Sequence, residues 1–335
     1  MNPFRSARLL PSNPALPSAC NHDGQARRIA FYLGRMFPPA ATLPYLIAYG
    51  LAANFCLQAL AGQHPLRLTS RAGAAALSLF LFGLLLRVCD EFKDAEADRA
   101  LAAAGDPRYR DRPIVTGEVT LADLRVLRIG VVVGLLALNL PLGFPYAVPG
   151  FVAALGIVWL SSKWFFWPAI SRHLLLAFAT HNPLPLVLLG YVAAVYAQDF
   201  GTAGLDGRSI ALLVGLWLPW TAWETSRKIR IPADETEYQT YSKILGWRAA
   251  ALVPAACVMA SLALLLPVLR TGGLGALPIA LVASSCLLVV LACLRFRFRP
   301  NRERARLRPF VDAYGATVNF SIVAGLAAKY GVRFF

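Results

Sequence analysis

The chain has 335 residues, 57% hydrophobic and only 15% charged, with a net charge of +15 and a mean hydropathy of +0.55. An ordinary soluble domain carries about 25% charged residues, so this apolar excess needs lipid to cover it. Membrane topology and anionic lipid account for the positive charge, and no nucleic-acid partner is expected.

Residues 1–35 are too polar for a signal sequence and read as a cytoplasmic N-terminal segment. Within it, Ala26 to Met36 mixes Arg27, Arg28 and Arg35 with Ile29, Phe31, Tyr32 and Leu33. That pattern fits a short amphipathic interfacial helix, or equally a basic tail leading into the Phe37-Pro38-Pro39 turn. Residues 36–335 read as one all-α, polytopic membrane domain. Apolar segments fall at 41–60, 72–88, 126–142, 148–166, 174–196, 210–222, 249–269, 274–294 and 316–328, nine predicted spans in all. With odd-numbered spans running outward, 27 of the 33 Lys and Arg lie on one side and 6 on the other. The positive-inside rule then predicts a cytoplasmic N-terminus and an outer C-terminus, most simply in a bacterial cytoplasmic membrane.

After the second span comes Asp90-Glu91-Phe92-Lys93-Asp94-Ala95-Glu96-Ala97-Asp98, five carboxylates in nine positions. If the helix continues, Asp90, Asp94 and Asp98 recur every four residues on one face, with Glu91 on its flank. Such a stripe suits a hard cation like Mg2+ shared with phosphate oxygens. The alternative is a solvated acidic loop end neutralised by Lys93 and Arg99. The stretch closes in Arg112-Pro113-Ile114-Val115-Thr116-Gly117, where Pro and Gly fix a turn and Arg112 offers a fork for oxygen anions. Thr120 and Asp123 then have the spacing of a helix cap.

Further along, Lys163 sits among Trp164, Phe165, Phe166 and Trp167 at the end of the fourth span, a place for aromatic anchors and topology charges. The fifth span carries His181-Asn182-Pro183 in apolar sequence, either an acceptor-binding group or a helix kink. The sixth ends in Trp223-Glu224-Thr225-Ser226-Arg227-Lys228, and a loop follows with Asp234 and Glu235. Acids and bases again follow an apolar helix on the same side, either as a second half-site facing the first or as a plain solvated loop. Seven arginines between Arg295 and Arg308, with only Glu303 against them, read as a phospholipid-facing loop. The six cysteines, Cys20, Cys56, Cys89, Cys257, Cys286 and Cys293, show neither zinc-site spacing nor a disulfide framework.

These residues resemble the UbiA superfamily of intramembrane prenyltransferases. The family's first motif, Asn-Asp-x-x-Asp-x-x-x-Asp, matches Asp90, Glu91, Asp94 and Asp98, with Asp for the leading Asn and Glu for the first Asp; its Arg-Pro-x-x-x-Gly matches Arg112, Pro113 and Gly117. The second, usually Asp-rich, is represented by Glu224 followed by Arg227 and Lys228, and its later acids align poorly. The resemblance implies a helical bundle around a central lipid-accessible cavity capped by cytoplasmic loops. It implies Mg2+ held by Asp90, Glu91, Asp94, Asp98, Glu224 and Asp234, and a diphosphate met by Arg112, Arg227, Lys228 and Lys163. The substrate it implies is an isoprenyl diphosphate, ionised to an allylic cation and transferred to an aromatic or quinone-precursor acceptor, with His181 and Asn182 as candidate acceptor contacts. Two other readings fit the same residues: a terpene cyclase in which the isoprenoid's own double bond attacks the cation, and a non-catalytic transporter or scaffold whose charged loops only set topology.

Overall fold

Residues 22–236 and 238–335 are described in a computed structural model of the chain, the side chains of His22, Asp23 and Pro107 excepted. Cys20 and most of the expected N-terminal segment lie outside the described residues. The described residues are all-α apart from one pair of three-residue strands. In order, the elements are α1 (His22–Met36), α2 (Pro39–Leu60), β1 (Leu66–Leu68), α3 (Ser70–Ala103), the single turns α4 (Pro107–Arg110) and α5 (Pro113–Thr116), α6 (Leu121–Asn139), α7 (Ala147–Ser162), α8 (Leu174–His181), α9 (Leu184–Phe200), α10 (Gly207–Ser226), α11 (Tyr241–Leu245), α12 (Trp247–Ala250), α13 (Leu252–Thr271), α14 (Ala276–Phe298), α15 (Arg308–Tyr330) and β2 (Val332–Phe334).

Each predicted apolar segment carries a helix. Among the described residues, six helical stretches are long and apolar enough to cross a membrane: α2, α3, α8 with α9, α12 with α13, α14 and α15. The helix α7 is apolar but shorter, while α6 and α10 pack within the bundle against α3 and α13 respectively. α2 is apolar around its whole circumference because it lies among α3, α9, α10 and α15, and Ala52 to Ala59 are all buried. Its one polar pair is satisfied only in part: Gln58 Nε2 donates to Asn54 Oδ1 at 2.7 Å and to the Arg67 carbonyl at 2.9 Å, while Asn54 Nδ2 has no partner among the described residues. β1 and β2 pair in parallel, Leu66 opposite Val332, which ties the link after α2 to the residues after α15.

The length of α3 positions everything else. Thr69 caps it by accepting the Ala72 N–H, and no proline interrupts its 34 residues, so it extends about 51 Å against a hydrocarbon thickness of about 30 Å. The residues from Asp90 onward therefore stand beyond the apolar layer.

Contacts sort the helix ends onto two faces. On one, Arg71 and Thr69 bind Asp199, Arg71 also donates to the Leu142 carbonyl, and Lys329 donates to the Gly273 carbonyl. On the other, Asp90 to Asp98 meet Arg112, Arg302 meets Asp234, and Arg308 lies over the Trp223 ring at 5.2 Å. α1 belongs to this second face and is helical, not a loose tail. Arg28 donates to both Asp123 oxygens at 2.9 and 2.8 Å, and Gln25 adds a bond at 3.2 Å. The same carboxylate closes the capping box of α6, receiving the Thr120 N–H at 3.0 Å while the Asp123 N–H is received by Thr120 Oγ1 at 3.2 Å.

Asp123 thus joins α1 to α6, and the Arg28 hydrogen bonds, against a smaller opposing effect of burial, hold its carboxyl well below the usual carboxylate range. The linkage sign follows: a lowered folded value stabilises above the unfolded value of about 4 and is lost only as pH falls further. Asp123→Ala should cost about 2 kcal/mol and release α1, read as lost hydrogen-exchange protection over residues 24–36, whereas wild-type protection should stay flat between about pH 5 and 8.

Candidate functional site

α3 remains helical to Ala103, so the four-residue spacing of the acids becomes a real stripe. Each carboxylate has a distinct environment. Asp90 pairs with Lys93 at 2.8 Å and keeps an exposed side. Glu91, buried, pairs with Arg87 one turn earlier. Asp98, also buried, pairs with Arg112. Asp94, half-buried, has no ion pair among the described residues. Burial and then the like charge of Asp90 push its carboxyl up to about 6. The fifth acid, Glu96, points to solvent. Of the two expected neutralisers, Lys93 serves, while Arg99 is exposed and Arg87 takes the second place.

Arg112 reaches Asp98 because of the turn around it. It caps α5, Pro113 takes the first helical position, and Gly117 adopts a left-handed φ of 81° that few other residues tolerate. The guanidinium also lies over the Tyr109 ring at 4.7 Å.

The end of α10 lies within electrostatic range of this stripe: Asp90 acts on Arg227. Glu224 receives Arg227 at 2.6 Å and Lys228 at 2.8 Å, both from the following turn. Burial raises the Glu224 carboxyl, but the two cations outweigh it and leave it below its ordinary value. Tyr241 is 2% exposed, within electrostatic reach of Glu224 and Arg227, and its hydroxyl has no partner among the described residues. Asp234 turns away and binds Arg302, Nη2 to Oδ1 at 2.8 Å, on the loop before α15. Glu235 receives the Thr240 and Ser242 hydroxyls at 2.7 and 2.6 Å and so holds its own loop together.

A third group comes from the α7–α8 connection. Lys163 follows α7 as its C-cap residue and is exposed, with no side-chain contact to the stripe or to α10 among the described residues. Trp164, Phe165 and Phe166 all have left-handed φ values of 52–56°, a conformation that costs each such residue roughly 1 kcal/mol. That turn places Trp164 under Lys93, whose ammonium lies 4.6 Å from the ring centroid, and sets Trp164 and Phe165 edge-on to His181 at 5.1 and 5.5 Å. His181 is therefore beside the stripe, with Nε2 3.2 Å from the Ser161 carbonyl. Asn182 is committed elsewhere: its Oδ1 accepts from Thr221 at 2.7 Å and its carbonyl from Trp217 at 2.8 Å, tying the α8–α9 break to α10.

Among the described residues no three His, Cys, Asp or Glu side chains are grouped to hold a metal ion. Mg2+ often takes only one or two carboxylates and completes its shell with water and substrate phosphate. Asp90 and Asp94, one turn apart, are hard oxygen donors of that kind, one partly exposed and the other unpaired.

The sequence reading gives no role to Arg87, to the unpartnered Tyr241 hydroxyl or to the left-handed conformation of the aromatic turn. The Arg87–Glu91 spacing of four was visible there; the other two required the fold.

Compared as a structure, the chain is similar to a UbiA homolog from Aeropyrum pernix K1 in its apo form, with a TM-score of 0.60 and 20% identity over 85% of this chain and 97% of that one. It is also similar to a digeranylgeranylglyceryl phosphate synthase, with a TM-score of 0.54 and 16% identity over 90% of this chain and 99% of that one. Likeness at this identity shows a shared all-helical membrane fold. Comparison by sequence finds no matching family model and no matching curated protein.

The Asp98–Arg112 pair gives a direct test of the site's architecture. Removing Arg112 strands a buried carboxylate, so Arg112→Ala should destabilise by about 2 kcal/mol or more, and adding Asp98→Asn should restore most of the loss. Thermal midpoints of the three variants in one detergent decide it.

Proposed function

We propose that the chain is a UbiA-type prenyltransferase, transferring a prenyl group from an isoprenyl diphosphate to an aromatic or quinone-precursor acceptor with Mg2+. The observation that carries this reading is that the basic end of α10 lies within electrostatic range of the acidic stripe of α3, with Asp90 and Asp94 on one side, Arg227 and Lys228 on the other, and Arg112 held at the stripe by Asp98. A diphosphate carries more negative charge than a lone cation can offset, and it needs both halves. The structural likeness to a UbiA homolog adds support.

Mg2+ bound through Asp90 and Asp94 would supply charge to the leaving diphosphate. The chain's own part is to orient and neutralise. Arg112 and Arg227 present flat, multiply donating forks to phosphate oxygens, and Lys228 a point charge. As the allylic C–O bond breaks, the electron pair leaves with the diphosphate, and these groups stabilise the charge that builds there. The prenyl tail lies against apolar helix surface, which keeps water from the cation until an acceptor carbon forms the new C–C bond and loses its proton. The loops of this face are cytoplasmic by the charge asymmetry. Glu91, Asp98 and Glu224 act through the cations they position; Lys163 is assigned to the diphosphate by its charge alone, and His181, packed on the Trp164 that lies under Lys93, is preferred to Asn182 as the acceptor contact.

Purified protein in lipid with Mg2+, a series of isoprenyl diphosphates and phenolic acceptors should give acceptor-dependent adducts by mass spectrometry, reduced at least about 100-fold by Asp94→Asn. The glyceryl phosphate in the name of one structural neighbour makes a non-aromatic acceptor the second arm. Cyclised product without acceptor would establish the cyclase reading instead. Tyr241→Phe, which deletes a hydroxyl lacking a partner, should leave the thermal midpoint unchanged or higher while raising KM for the diphosphate about 5-fold.

A further inference from the structure

The strongest unassigned feature lies outside the proposed site, at the end of α14. There a groove of about 370 Å3 is lined by Leu291, Leu294, Arg295, Phe298, Arg299 and Arg304. Three of these are arginines, and no carboxylate pairs with any of them among the described residues, although Arg302 of the same loop pairs with Asp234 and Arg308 at the start of α15 with Asp312. Arg295 and Arg299 are one helical turn apart, a spacing at which like charges repel. Arg304 is nevertheless drawn to them: Asn301 receives its N–H at 2.7 Å, and its Nη1 donates to the Arg299 carbonyl at 2.9 Å. These bonds bring Arg304 against Arg299, and with Arg295 one turn earlier three arginines line one hollow, an arrangement that favours an anion shared between them.

The other half of the groove is apolar. Phe298 is 74% and Leu291 41% exposed, and the strip continues through Leu287 and Leu288, which are more than half exposed. Leu291 and Phe298 are two turns apart, so apolar surface runs about 10 Å away from the charge along a helix of membrane-spanning character. A ligand fitting both halves has a phosphate head and a hydrocarbon tail.

The geometry points to a binding site for one anionic phospholipid, its phosphate between Arg295, Arg299 and Arg304 and one acyl chain along Leu291, Leu294 and Phe298. The groove is on the same face as the acidic stripe, because Arg302 of its loop binds Asp234 and Arg308 covers Trp223. A lipid held there braces the loop that packs against the end of α10.

Native mass spectrometry of the delipidated full chain, titrated with equimolar palmitoyl-oleoyl phosphatidylglycerol and phosphatidylcholine, tests the site. The first phosphatidylglycerol adduct should be preferred by at least about 10-fold. Each single arginine-to-alanine change should weaken it about 5-fold, and the triple R295A/R299A/R304A about 100-fold. Phe298→Asp, which leaves the arginines intact, should also remove it and covers the case in which the triple variant fails to fold. Equal binding of both lipids, or an undiminished preference in the triple variant, would overturn the assignment. Displacement by glycerol 3-phosphate at concentrations equal to the lipid would reduce the site to one for free phosphate, and displacement by an equal concentration of geranylgeranyl diphosphate would make it a place for a prenyl diphosphate.

Discussion

Charge cannot be left alone at the edge of hydrocarbon, and the α3 extension shows how this chain satisfies that constraint. Asp90, Glu91 and Asp98 are neutralised one by one by Lys93, Arg87 and Arg112. Two of those cations lie in the same helix within one turn, whereas Arg112 comes from fourteen residues on and brings the α4–α5 turns with it. The stripe is thus a row of pairs with one member, Asp94, outside the pairing. The shape of the connecting loop, the burial of Tyr109 and the left-handed Gly117 all follow from delivering Arg112 to Asp98.

The same logic acts differently at α10. Glu224 is held by Arg227 and Lys228 from its own helix end, so the second half contributes cations with their counter-ion already in place. The first half presents an unpaired acid and the second a pair of bases. A bridging anion with a divalent cation on one side would find complementary charge in both directions, without a second cluster of acids.

Much of this was legible in the sequence because membrane segments announce themselves through long apolar runs, and charge asymmetry separates their ends. The nine apolar segments, the continuation of helix through Asp98, and the Thr120–Asp123 cap needed only periodicity and local spacing. Six of the helical stretches satisfy length and apolarity outright; α6, α7 and α10 do not, and they lean on their neighbours to fill out the bundle. What stayed hidden were choices among equivalent partners. Spacing could not tell that Asp234 turns to Arg302 instead of Glu224's side, or that Asn182 is taken by Thr221 while His181 faces the stripe. Nor does any propensity foretell three consecutive aromatic residues in left-handed conformations; that turn exists because Lys93 and His181 offer it contacts from other helices.

The pairing of β1 with β2 bears on how the chain is made. Residues 66–70 follow α2 early in translation, yet their main-chain partners are Gly331 and Phe335: Leu66 donates to the Gly331 carbonyl, Ser70 to that of Phe335, and Phe335 back to Leu68. α15 likewise packs on α2. A ribosome must therefore deliver about 250 further residues after α2 (ending at Leu60) before α15 (starting at Arg308) can pack on it. Until α15 and β2 have been made, that flank of α2 and the strand beside it lack their native partners, so the bundle closes by docking a late-made helix onto an early one.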